Sequence, residues 1–406
     1  MRLIRFKKSA LAFFVFHTIV CTVVFFHFAP SDSSHKHPDI DEFSNVQSRD
    51  SSEQVERMSR CEMLLAKWNT GVPVMIIDLE FLNEIDKSDC LQYMNKPIKI
   101  GLQSKYRSNE SVVDRNRFDV VYYTDNSSKD FLDFDVDGRR IIPKGFATRW
   151  IGNFEIPNDI NRFIAFWNRS KFVNCAGIKV KRREDMEVVM PAQKSTEILA
   201  RLRDELIKNG MFPFLNSGTL LGWYRECSFI PHTTDMDLAV SYDNYNPDYL
   251  KKLENGETQF KIIRRLGMVN DSLEITVIPK KESKPNIDIF LMYDGIENGT
   301  ITHSYISGLA GDGTKYKFSF PVYDPWCAAD LHDHIFWVTC SPKSQILAEH
   351  GKYWYLDKPS STYSWTTSSK NVKPNGKFTA EQMNEVYVEY GLNYYISQFK
   401  HAFFTR

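Results

Sequence analysis

The sequence predicts an α/β fold, with α+β as the neighbouring possibility, in which a mixed sheet forms the second half of the chain. Three observations carry that expectation. Residues Ile198, Leu199, Leu202, Leu206 and Ile207 recur at helical spacing after Ser195 and stop at Gly210, which marks one amphipathic helix. A short apolar run, Met211 to Leu215, follows, and Asp235 to Val240 then alternates with the period of a strand. Two further β-rich segments, Leu273 to Ile278 and Ile287 to Tyr293, complete the order helix, strand, turn, short helix, strand and further strands.

Upstream, residues 60–185 carry short apolar segments such as Val72 to Ile77 and Val120 to Tyr123 between polar turns, as expected of a smaller α/β module. A second body is expected over 186–406. In 406 residues there is room for these two units and an anchor, and the 42% hydrophobic and 14% aromatic content argues for a packed body. With 51 basic and 51 acidic residues the formal charge is zero, so nothing global points to nucleic acid, and an anionic ligand requires a local site.

The compartment is read from the first residues. Arg2, Arg5, Lys7 and Lys8 form a basic tail over 1–8, ahead of an apolar run from Ser9 to Ala29. About twenty such residues span the hydrocarbon layer, and the basic flank stays cytoplasmic, so the sequence predicts a type II signal anchor with a luminal body in the Golgi or endoplasmic reticulum. A cleaved signal peptide is the rival reading, but the run is long and Phe-rich and no small-x-small cleavage site follows. Residues 30–59, rich in Ser, Asp, His and Glu, read as a flexible stem. Five N-glycosylation sequons, at Asn109, Asn126, Asn168, Asn270 and Asn298, fit a luminal chain. So do Cys61, Cys90, Cys175, Cys227, Cys327 and Cys340, which can pair in an oxidising compartment.

The chemistry is expected at Asp235-Met236-Asp237. Two carboxylates at i and i+2 of a strand face the same side and can hold a divalent cation, while Met236 turns inward. Acid-x-acid pairs arise by chance about six times in a chain of this composition, so the surroundings decide. Here a small-residue turn, Asn216-Ser217-Gly218-Thr219, precedes the pair, and Asp288 sits in the apolar strand Asn286 to Phe290, where a carboxylate is costly unless it meets a cation or a partner. A Gly-Thr turn opening a helix offers backbone N–H groups and a hydroxyl to phosphate oxygens.

This arrangement resembles the polymerase-β-like nucleotidyltransferase superfamily. Within it, Phe214 to Arg225 followed by Phe229 to Asp237 is similar to the LicD and fukutin family, and Asp271 to Glu274 and Asn371 to Gly376 extend the likeness. Bacterial relatives carry three consecutive acids where this chain has Thr233-Thr234-Asp235. The resemblance implies a transferase that takes an alditol phosphate, or phosphocholine in bacteria, from a CDP-linked donor. For this chain it implies ribitol 5-phosphate moved from CDP-ribitol to an O-mannosyl glycan of a glycoprotein such as dystroglycan. It implies Mg²⁺ or Mn²⁺ on Asp235, Asp237 and Asp288, with Asp288 also taking the acceptor's hydroxyl proton. Gly218 and Thr219 are expected to cradle the donor phosphate and Arg225 to pair with it, and Trp223 or Tyr224 to stack on the leaving CMP. The bland alternatives are an ordinary ion pair for Arg225 and core packing for the two aromatic residues.

Other patterns are weaker. Asp133 to Gly138 opens like an EF-hand, but Lys144 occupies the position of the final Glu. Cys327, His332, His334 and Cys340 are four possible zinc ligands, against which a Cys327–Cys340 disulfide is the favoured expectation. Two other functions remain open at this point: a CTP-using nucleotidyltransferase, and a silent Golgi scaffold that steers glycosyltransferase partners through residues 60–185.

Overall fold

The computed structural model describes residues 58–87, 90–183, 187–323 and 326–391, all within one compact unit. The expected tail and anchor, and nearly all of the stem, lie outside the described residues. Among the described residues no helix is long and apolar enough to cross a membrane.

The first half builds a seven-stranded sheet from β1 (Val74–Ile76), β2 (Ile98–Gln103), β3 (Phe118–Asp125), β4 (Phe131–Asp135), β5 (Arg140–Pro143), β6 (Thr148–Ile151) and β7 (Phe154–Pro157). Its order is β5-β4-β3-β2-β1-β7-β6, with parallel β1–β7 and β2–β3 pairs among antiparallel ones. Helix α1 (Arg60–Ala66) starts at a capping box, in which Ser59 and Glu62 satisfy each other's backbone N–H groups, and α2 (Leu79–Glu84) and α3 (Ile160–Asn168) flank the sheet.

In the second half, α4 (Ala192–Lys208) buries all five residues of the stripe read from the sequence and ends ahead of Gly210, whose φ of +79° glycine adopts without penalty. There follow β8 (Phe214–Leu215), α5 (Ser217–Glu226), β9 (Asp235–Ser241), α6 (Pro247–Glu254), β10 (Phe260–Leu266), β11 (Glu274–Pro279), β12 (Asn286–Glu297), β13 (Thr300–Leu309), β14 (Thr314–Phe320), β15 (Trp326–Leu331), β16 (His334–Thr339), α7 (Pro342–His350), β17 (Val372–Lys377) and β18 (Tyr387–Glu389). The main path runs β15-β16-β8-β9-β12-β11-β10-β18, and β13, β14 and β17 continue from β12. The parallel β9–β12 pair lies between antiparallel neighbours, so the sheet is mixed, as the α/β expectation required.

The two sheets share one apolar core. Phe166 of α3 stacks on Trp337 of β16 at 5.7 Å, and Phe212 meets both rings edge-on. Beside them the buried guanidinium of Arg203 donates to the Ile335 carbonyl and pairs with Asp130 at 2.9 Å. Asp130 also holds His334 Nδ1 at 2.8 Å.

Among the described residues there are three disulfides: Cys61–Cys90, Cys175–Cys227 and Cys327–Cys340. The last leaves no thiolates for zinc. Its flanking histidines are engaged elsewhere, His332 with the Ser228 hydroxyl and His334 with Asp130. The EF-hand-like stretch is a β-hairpin, in which Arg139 grips Asp133 through two hydrogen bonds. All five sequon asparagines are exposed.

Because Phe166 fills the seam between the sheets, Phe166→Ala should cost about 3–5 kcal/mol in urea unfolding. A loss under about 1 kcal/mol would show that the seam adds nothing to stability.

Candidate active site

The site is set by register. In the parallel pair, Asp235 stands opposite Asn286 and Asp237 opposite Asp288, so the second acid of the expected motif and the expected third acid are side by side on neighbouring strands. Met236 and Leu238 point the other way and are fully buried, which fixes the face that Asp235 and Asp237 present. On the next strand Thr276 is the partner of Asp288, and its hydroxyl donates to Asp288 Oδ1 at 2.5 Å. Thr233 in the loop donates to Asp235 Oδ1 at 3.0 Å.

Helix α5 meets the acids with its first turn. Ser217 has φ of +41°, a conformation that costs a non-glycine residue on the order of 1 kcal/mol, and it turns the chain from β8 into the helix. A Cβ on Gly218 would lie 3.2 Å from Asp237 Oδ2, so the absence of a side chain there lets the turn approach the carboxylate. The Asp237 N–H donates to Thr219 Oγ1 at 2.7 Å, and Asn216 N–H donates to the Asp237 carbonyl at 3.2 Å. The turn and the acids therefore come together, but the Thr219 hydroxyl is buried and pins the Asp237 backbone instead of standing open to a ligand.

Electrostatics follow from crowding. Burial pushes the Asp237 carboxyl well above the ordinary carboxylate range, and Asp235, Asp288 and Glu349 push it further. Asp288 is raised by burial and by Asp235, against the Thr276 hydrogen bond and Arg264, which lower it. Glu274, two residues before Thr276 and on the same face, is raised by burial and by Asp288. Glu349 of α7 is also buried, and burial lifts it to about 7 despite a hydrogen bond with Ser217.

Other expected site residues take different places. Trp223 is 1% exposed and its indole N–H donates to the Asp330 carbonyl, which leaves no ring face for CMP. Tyr224 is half-buried and packs against Trp354 with ring centroids 5.6 Å apart. Arg225 is 2% exposed, with its guanidinium spent on the carbonyls of Trp354 and Leu356 and on Glu226, so it braces the 354–357 loop and is not open to a phosphate. Asp357 of that loop is in turn held by Arg182 and His232.

Among the described residues, no group of three or more His, Cys, Asp and Glu side chains is already gathered around a metal position. The expected triad Asp235, Asp237 and Asp288 thus shares a face and a neighbourhood but is not a closed ligand set. The donor chemistry nevertheless fits Mg²⁺ or Mn²⁺: hard carboxylate oxygens crowd one another, and Asn216, whose backbone N–H meets the Asp237 carbonyl, keeps a buried Oδ1 without a hydrogen-bond partner.

Comparison with known proteins agrees with this geometry. Residues 60–174 match the family described as W02B3.4-like, N-terminal domain, and residues 210–338, which hold all three acids, match LicD/FKTN/FKRP, nucleotidyltransferase domain. The uncharacterized protein W02B3.4 of Caenorhabditis elegans is 53% identical over 80% of this chain and 84% of its own. This chain belongs to the W02B3.4-like proteins and carries a LicD/FKTN/FKRP domain. Uncharacterized protein T07A5.1 of the same nematode is 39% identical over 84% of this chain and 90% of its own. Ribitol-5-phosphate transferase FKTN, or fukutin, of Mus musculus is 32% identical over 57% of this chain, which spans only 49% of fukutin's length.

Sequence reasoning missed two charged residues that the fold brings to the acids, Glu349 and Arg264. Glu349 had a usable signal: Pro342, Gln345, Ile346 and Glu349 fall at i, i+3, i+4 and i+7, the buried stripe of α7, where a carboxylate is out of place. Arg264 had none. By simple alternation it shares a face with the buried Phe260 and Ile262, but a bulge between Ile262 and Arg264 shifts the register by one and turns Arg264 to the acid side.

Because Glu349 binds its proton more tightly folded than unfolded, its contribution to stability is present below about pH 4.5 and is lost as pH rises through about 7. Without divalent cations the melting temperature should therefore fall across that window, and Glu349→Gln should flatten the decline. An unchanged slope in the variant would remove Glu349 from the charged cluster.

Proposed function

We propose that this chain is a metal-assisted transferase of the secretory pathway, which moves an alditol phosphate from a CDP-linked donor onto a glycan of a glycoprotein. The observation that carries the reading is the placement of Asp237 opposite Asp288 with the Gly218 turn against them, inside a LicD/FKTN/FKRP domain. Fukutin's description as a ribitol-5-phosphate transferase supports ribitol 5-phosphate as the transferred group, and the O-mannosyl glycan acceptor extends the same likeness.

Asp235, Asp237 and Asp288 would hold Mg²⁺ or Mn²⁺, which when bound neutralises the donor's diphosphate and steadies the leaving phosphate. The chain's own residues supply position and a proton acceptor. Thr276 fixes the Asp288 carboxylate and Thr233 that of Asp235, so both are aimed before substrate arrives. An acceptor hydroxyl placed at Asp288 gives its proton to that carboxylate as its oxygen bonds to the alditol-bearing phosphorus. The bond from that phosphorus to the bridging oxygen breaks, and CMP leaves with the electron pair.

A Golgi or endoplasmic-reticulum location, as a type II membrane protein, is supported by the basic tail and apolar run of residues 1–29, by three disulfides and by five exposed sequon asparagines.

Purified full-length chain, given CDP-ribitol, an O-mannosyl glycopeptide and Mn²⁺, should release CMP. Asp237→Asn and Asp288→Asn should each lower the rate by about a thousandfold, roughly 4 kcal/mol of barrier. No CMP from any CDP-alditol would overturn the reading. Pyrophosphate released from CTP would make the chain a nucleotidyltransferase instead, and full rescue of a null cell's glycan by both Asn variants would make it a scaffold.

A further inference from the structure

The register row through the acids continues beyond Asp288. Asp237 pairs with Asp288, Asp288 with Thr276, and Thr276 with Arg264, so four strands place these side chains in one line on one face of the sheet. Neighbouring strands are about 4.8 Å apart, and an arginine side chain easily covers that step. Accordingly, the Arg264 NH2 group reaches Glu274 Oε1 at 3.0 Å and Thr276 Oγ1 at 3.2 Å, and lies 3.8 Å from Asp288 Oδ1.

Three features separate Arg264 from a merely structural arginine. Its side chain is 36% exposed, unlike that of Arg225 at 2%, so a ligand on the acid face can touch it. Its Nε finds no hydrogen-bond partner, so the protein does not saturate the donors of this guanidinium. The β10 bulge is what aims it at the acids, and bulges of this kind recur beside active sites. Glu274, buried beneath, keeps the guanidinium in place.

We propose that Arg264 is a substrate-contacting residue that binds a phosphate of the donor's diphosphate, taking the part that the sequence assigned to Arg225. The inference rests on the proposed transferase activity and names its anion-binding group. A phosphoryl oxygen lying beside Asp288 is within one hydrogen bond of this guanidinium. Arginine also presents planar paired donors that a lysine lacks.

The test measures binding of CDP, cytidine and mannose 6-phosphate to the full-length chain in Mn²⁺ by calorimetry. CDP should bind more tightly than cytidine. Arg264→Gln should shrink that preference tenfold or more while cytidine affinity holds, and Arg264→Lys should recover part of it. Because loss of Arg264 strands the Glu274 carboxyl, the double variant Arg264→Gln/Glu274→Gln supplies a neutral pair that keeps the fold, checked by its melting temperature. It too should lose the preference. An unchanged CDP-to-cytidine ratio in the folded variants overturns the inference and leaves the transferase reading intact. Loss confined to mannose 6-phosphate would move the residue to an acceptor phosphate, against the proposal. A wild-type chain that neither binds CDP nor releases CMP sinks both.

Discussion

Two carboxylates held side by side on parallel strands dominate this structure. Asp237 and Asp288 repel each other in a place that burial already makes hostile to charge, and Asp235, Glu274 and Glu349 add to the repulsion. Nothing in folding favours such a cluster, so the surrounding chain must enforce it. The β9–β12 ladder does so with seven registered pairs, and the apolar residues alternating on its other face allow no slip by one without exposing Met236, Leu238, Ile287 and Ile289. The site is therefore a by-product of the core: the same hydrophobic burial that stabilises the sheet holds the acids together.

Around that cluster the polar groups serve orientation. Thr276, Thr233 and Thr219 each spend a hydroxyl on an acid or its backbone, and the Gly218 turn approaches because it carries no side chain. Further out, Arg225, Glu226, Arg182, Asp357 and His232 form a charged network that fixes the 354–357 loop against the C-terminal end of α5. The network is mostly buried, so its value lies in geometry more than in net stabilisation.

Much of this was legible in the sequence because it obeys simple periods. The α4 stripe, the alternation of β9 and the apolar setting of Asp288 all translate directly into burial and facing. The Cys327–Cys340 bond was legible as well, since pairing is the commoner fate of two such cysteines in an oxidising compartment, and the structure places them at the ends of one hairpin. What failed was the assignment of individual side chains near the helix. Trp223 and Arg225 sit in the right motif, yet helical geometry carries them to the buried side of α5, a rotation that motif membership does not reveal. Arg264 and Glu349 lie far along the chain from Asp237, and long-range pairing brings them in.

The bulge in β10 has a consequence for how relatives should be aligned. A strand with one extra residue cannot be matched to an unbulged strand by hydrophobic alternation, because every position past Ile263 would be assigned to the wrong side. A single-residue gap at that point in a relative would thus be more than a tolerated deletion. It would swing the arginine into the apolar layer and leave the acid face without its cation, a change of chemistry made by backbone length alone.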